Sequence, residues 1–160
     1  MVVVATDGSS LRNGQANSPS GWAYVFDKGH WKAGGLLRGT NQIAELLGVF
    51  MVLRDYPTLD LTIQTDSAYV IGCCTSWKKA WQKNGYKNSK GQEVSNKNTI
   101  IAIHHLLDFS RQKIEFAKVK AHDTKHRYPL NELADKYAKR AAVKAKNDGG
   151  EVLIGSHIAS

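Results

Sequence analysis

A chain of 160 residues, 42% hydrophobic and 9% aromatic, has the material for one packed core and contains no run of about 18 apolar residues that could span a membrane. Its 22 Lys and Arg against 14 Asp and Glu give a formal net charge of +8, which favours a polyanionic partner. Cys73 and Cys74, the only cysteines, are adjacent, which excludes a disulfide framework or a four-cysteine zinc site.

Met1 to Asp7 lacks the basic start and long apolar stretch of a signal peptide, so the chain reads as a soluble, cytoplasmic protein, expected to be a monomer. Three β-rich runs come first: Val2 to Thr6, Trp22 to Asp27 and about Trp31 to Leu37. Gly, Asn, Ser and Pro clusters between them read as turns, so an antiparallel meander is predicted. From Asn41 to Arg54, Ile43, Leu46, Leu47, Phe50, Met51 and Leu53 recur at helical spacing until Tyr56-Pro57 ends the pattern. Leu61 to Thr65 alternates as a short strand, and Ser67 to about Cys74 turns back as a helix.

Residues 77–97 are polar and rich in Lys, Asn and Gly, and read as an excursion from the core. The excursion contains a short helical stretch, and the apolar periodicity resumes at Ile100, Ile101, Ile103, Leu106 and Leu107. Lys113 to Val119 reads as a last strand and Asn131 to about Lys146 as a last helix, stopped by Gly149-Gly150. Residues 1–147 are therefore assigned to one domain, with 77–97 a protrusion inside it and 148–160 a loosely held tail.

Four carboxylates fall where such elements would project them towards one edge: Asp7 and Asp66 after strands, Glu45 and Asp135 on helices. Singly, each has an ordinary explanation as a turn former, an N-cap or a solvated helical acid. Clustered, they would repel one another unless a cation neutralised them. Hard oxygen donors without a Cys or His pair select Mg²⁺ or Mn²⁺ over zinc.

Thr6-Asp7-Gly8-Ser9, Thr40-Asn41-Gln42-Ile43-Ala44-Glu45, Thr65-Asp66-Ser67 and Asn131-Glu132-Leu133-Ala134-Asp135 occur in an order that resembles type 1 ribonuclease H, over about residues 2–146. The resemblance implies an α/β fold: a five-stranded mixed sheet, its first three strands antiparallel, flanked by helices on both faces. It also implies an endonuclease for the RNA strand of RNA·DNA hybrids that leaves 5′-phosphate and 3′-hydroxyl ends. Asp7, Glu45, Asp66 and Asp135 would hold two Mg²⁺ ions, with Mn²⁺ a possible substitute. His122, in Val119-Lys120-Ala121-His122-Asp123, matches a histidine that assists proton transfer or product release. Many relatives have Gly at the position of Ala121, and Asp123 to Pro129 is charged and lacks the Gly often found there.

For substrate, the resemblance places Ser10, Asn13, Asn41, Gln42 and Glu45 along the RNA or between the strands. Arg38 and Thr40, joined by Asn96, match a pocket for a DNA phosphate. Thr40 could equally be only a helix N-cap. Trp77, Lys78, Lys79, Trp81, Lys83 and Lys87 resemble the family's basic protrusion, where rings lie on sugars and bases while ammonium groups track phosphates. His30, His104, His105, His126 and His157 show no spacing that joins the acids. Two other readings share these residues: a nuclease of this fold acting on DNA, and a non-catalytic hybrid-binding module, whose usual mark would be loss of an acid.

Overall fold

The β-rich runs at the start of the chain form the predicted meander: β1 (Val2–Ser10), β2 (Ser18–Phe26) and β3 (Trp31–Gly39), paired antiparallel in sequence. The computed structural model describes residues 1–12, 15 and 17–156, the last by its backbone alone. Asn13 and His157 lie outside the described residues. After the meander come α1 (Asn41–Asp55), β4 (Leu61–Thr65), α2 (Ala68–Cys74), α3 (Lys78–Asn84), α4 (Lys97–Phe109), β5 (Ile114–Lys118), α5 (Pro129–Asp148) and β6 (Val152–Ser156). The sheet order is β5-β4-β1-β2-β3-β6, with β4 parallel to both β1 and β5.

Among the described residues the sheet thus has six strands where five were expected. Part of the stretch expected to be a loose tail pairs antiparallel with β3, from Trp31 opposite Ser156 to Gly35 opposite Val152. The physical reason is an open edge: β3 has β2 on one side only, and its remaining N–H and C=O groups accept a further strand. Gly149, at φ 72°, takes the left-handed conformation that ends α5, and its N–H caps the Ala145 carbonyl at 2.9 Å, turning the chain back towards that edge.

Two layers cover the sheet. On one face, Val4, Trp22, Tyr24, Leu61 and Ile63 pack with Leu46, Val49 and Leu53 of α1 and Ile100 and Ile103 of α4. Truncating a fully buried leucine here, such as Leu46, costs about 2–5 kcal/mol. On the other face, α5 presents Ala134, Ala138, Ala141, Ala142 and Ala145, all fully buried. Alanine permits a close approach: a Cβ on Gly21 of β2 would stand 2.0 Å from the Ala138 carbonyl oxygen, so only glycine fits beneath the helix.

Candidate active site

β1 and β4 lie side by side and parallel, and the register that pairs Ala5 with Gln64 brings Asp7 and Asp66, two residues further along each path, to one edge. α1 crosses at the same place. A Cβ on Gly8 would lie 2.2 Å from the Glu45 backbone nitrogen, so the glycine after Asp7 lets α1 set Glu45 against it. One carboxylate oxygen from each of Asp7, Glu45 and Asp66 lies within 4.8 Å of the other two. Asp135, in the second turn of α5, lines the same cavity of about 240 Å³, as does His122.

Asp7 is 5% exposed and accepts a hydrogen bond from the Gly8 N–H at 2.9 Å. Burial, followed by the charge of Asp66, pushes its carboxyl up to about 9. Glu45 is pushed up to about 7, again chiefly by burial, against the opposing effect of the Ser67 hydroxyl, which donates to its Oε2 at 2.8 Å. Carboxylates this crowded are stabilised by a hard divalent cation, and an all-oxygen donor set is what such an ion takes. The residues present therefore fit a divalent metal.

Two further groups bear on the site. Lys139, one turn after Asp135, makes an ion pair with its Oδ2 at 3.0 Å and lines the cavity. Its i,i+4 spacing from Asp135 is visible in the sequence. Ser67 both caps α2, accepting from the Val70 N–H at 3.1 Å, and holds Glu45. The cap can be read locally, but the contact with Glu45 bridges 22 residues and has no local signature.

Of the residues expected along the substrate, Ser10 and Asn41 line the acidic cavity, and Ser10 Oγ lies 2.7 Å from Ser18 Oγ. Gln42 is exposed at the start of α1. Thr40 is the N-cap of α1, its Oγ1 accepting from the Ile43 N–H at 3.1 Å, and Arg38 is exposed one residue before the end of β3. Asn96, at φ 62°, donates from Nδ2 to the Tyr69 hydroxyl at 3.2 Å. The cavity beside it is lined from Glu93 to Thr99 and includes neither Arg38 nor Thr40.

The protrusion presents Trp77, 42% exposed, against Trp81 with ring centroids 5.5 Å apart. Trp81 is half-buried and packs on the large core cluster. Lys79, Lys83 and Lys87 are exposed, whereas Lys78 is paired with Asp108 of α4, which also accepts from Gln82 Nε2 at 2.7 Å. Beneath, the buried His104 lies 2.8 Å from the Cys73 carbonyl through Nε2 and 2.8 Å from the Tyr86 hydroxyl through Nδ1. A carbonyl only accepts, so Nε2 carries the proton and Tyr86 donates to Nδ1.

Residues 1–143 match the family description RNase H. The chain belongs to the ribonuclease H family. It is 38% identical over 143 residues to the ribonuclease H of Tropheryma whipplei (strain Twist), covering 88% of this chain and 84% of that one. Ribonuclease H1 of Homo sapiens is 32% identical over 152 residues, 91% of this chain and 51% of that one. Among solved structures, a foamy viral protease-reverse transcriptase in complex with dsDNA superposes with a TM-score of 0.75 at 25% identity, over 89% of this chain and 94% of that chain. LC9-RNase H1, described as a type 1 RNase H with the type 2 active-site motif, shares the fold with a TM-score of 0.77 at 22% identity, over 97% and 77%. A ribonuclease H is an endonuclease for the RNA strand of RNA·DNA hybrids and depends on a divalent metal, in keeping with the acidic triad.

Proposed function

We propose that this protein cuts the RNA strand of RNA·DNA hybrids at a centre formed by Asp7, Glu45, Asp66 and Asp135, which hold two Mg²⁺ ions, and leaves 5′-phosphate and 3′-hydroxyl ends. Mn²⁺ is a possible substitute. The observation that carries this reading is the approach of three carboxylates within 4.8 Å, two of them pushed well above their ordinary range. Divalent ions held there supply Lewis-acid stabilisation of the scissile phosphate and promote in-line attack by water.

The chain's own groups do the rest. Asp7, Glu45 and Asp66 would hold the ions between them, with Asp135 on the wall of the same cavity adding a further carboxylate. Ser67 orients Glu45 by donating to Oε2 and leaves Oε1 for ligation. His122, on the cavity wall, moves a proton during turnover or release of product. Ser10 and Asn41 line the cavity where a ribose 2′-hydroxyl could be read. Asn13, Gln42, Arg38, Thr40 and Asn96 are assigned to substrate in the same way, and the exposed Lys79, Lys83 and Lys87, with Trp77 and Trp81, to the DNA strand. The protein works as a monomer.

Matched cleavage assays on an RNA·DNA hybrid, a DNA duplex and an RNA duplex test the reading. The hybrid should be cut in a Mg²⁺-dependent manner and the other two spared. Cutting of the DNA duplex at a comparable rate would assign the centre to a DNA nuclease instead, and absence of Mg²⁺-dependent turnover would leave a binding module.

A further inference from the structure

The chain between β5 and α5 carries His122 and is tied down at both ends. The Val119 N–H donates to the Thr65 carbonyl at 3.0 Å, which pins the start of the loop beside Asp66. His126 Nδ1 lies 2.7 Å from Glu132 Oε1, which pins its end to the first turn of α5. His122 at φ 49° within the loop and His126 at φ 51° at its tied end occupy the left-handed region, where a residue with a side chain stays only if its surroundings hold it.

Beside them lies an ion pair whose carboxylate is buried and whose guanidinium is half exposed. Asp123 is 4% exposed, and Arg127 satisfies both of its oxygens. Oδ2 accepts from the Arg127 backbone N–H at 3.1 Å and from Nε at 2.9 Å, and Oδ1 accepts from Nη2 at 3.2 Å. These hydrogen bonds hold the Asp123 carboxyl down at about 2, so the pair stays charged throughout the neutral range. The Asp123 carbonyl accepts from the His126 N–H at 3.0 Å, closing the turn on itself. A planar guanidinium gripping a carboxylate at two atoms fixes direction as well as distance.

We propose that the Asp123–Arg127 pair is a positioning device for His122. By fixing the residue next in sequence, it holds the His122 backbone in its left-handed conformation and the ring at the wall of the acidic cavity. Neither Asp123 nor Arg127 lines that cavity, so both act through His122. The inference rests on the reading of His122 as a proton-transfer group.

A double-mutant cycle under single-turnover conditions, with saturating RNA·DNA hybrid and Mg²⁺, tests it. Arg127→Met removes the donors and keeps the length of the stem; the side chain is about half exposed, 52%, so the fold should survive. In the parent background this variant should lower the saturated rate by about tenfold, and in His122→Ala by less than about twofold, because the two changes act through one group. Asp123→Asn should follow the same pattern, and Arg127→Lys should recover part of the loss. Hybrid affinity and its salt slope should stay within about twofold and about half a unit, which separates positioning from a phosphate contact. Equal losses in both backgrounds, or no loss in the parent, would overturn the proposal. A full-rate His122→Ala beside an impaired Arg127→Met would overturn the role of His122 itself, and the positioning role with it.

Discussion

Gly8 and Glu45 meet so closely that a Cβ on the glycine would stand 2.2 Å from the glutamate's backbone nitrogen. The contact is backbone against strand, so no rotamer change can relieve it. Gly8→Ala must push α1 away from β1, carrying Glu45 from Asp7. It should destabilise the fold by about 1–3 kcal/mol and lower cleavage more than the folded fraction explains. Urea melts together with rates corrected for folded protein check this, and an alanine variant with parental rate and stability would contradict the tight crossing.

Asp66 should be separable from the fold. It is half-buried at the end of β4. Asp66→Asn keeps its shape but loses a charge and a strong metal donor. Cleavage should fall by at least about a hundredfold while hybrid binding and the far-ultraviolet spectrum stay parental. A folded variant retaining more than a few percent of the rate would remove Asp66 from the centre.

The metal-free protein should lose stability as pH rises. With Asp7 pushed up to about 9 and Glu45 to about 7, the folded state holds more protons than the unfolded chain from about pH 4 upwards. Since stability falls with pH wherever the native state binds the extra protons, the loss runs from about pH 4 through 7 and on towards 9. Asp7→Asn removes most of that dependence and should stabilise the metal-free protein at pH 8 by about 1–3 kcal/mol. Calorimetry in a chelator at pH 5.5 and 8 measures both effects, and a flat parent profile would refute the crowding.

Neutralising Lys79, Lys83 and Lys87 together should weaken hybrid binding and flatten its dependence on log salt by about 2 to 3 units, with the saturated rate nearly unchanged. Lys78 is left out because Asp108 already holds it. Trp81→Ala should cost about 1–3 kcal/mol of binding with little change in slope, since a ring displaces no counterion. Dissociation constants over a salt series distinguish the two. Trp81 also packs on the core, so a melting curve must accompany that variant.

Periodicity alone located α1, α4, β4 and β5, because their apolar faces are buried against one core. The β-rich run placed the end of β1 at Thr6, whereas pairing continues to Ser10 opposite Ser20. The extension is Asp, Gly and Ser, carried by β2 and not by hydrophobic pattern, and it is the part that holds Asp7. β6 escaped for a related reason: five residues after a double glycine form a strand only because β3 offers them an edge. The four acids were legible as an ordered set of motifs. The pairing of Lys78 with Asp108 was not, since it joins residues 30 apart across two helices.

The alanine face of α5 has a consequence for the order in which the chain becomes active. Asp135 and the cover for β1, β2 and β3 arrive on the same helix, which ends at Asp148. A nascent chain lacking that helix has β1 to β5 in hand and yet exposes the face of β1, β2 and β3 that α5 covers and lacks one of the four acids. At synthesis rates of about 5–20 residues per second, Asp135 emerges about 6 to 26 s after Asp7. Competence to cut a nucleic acid strand therefore arrives late, together with the closing of the fold, and a ribosome-bound fragment ending before α5 should neither fold nor cleave.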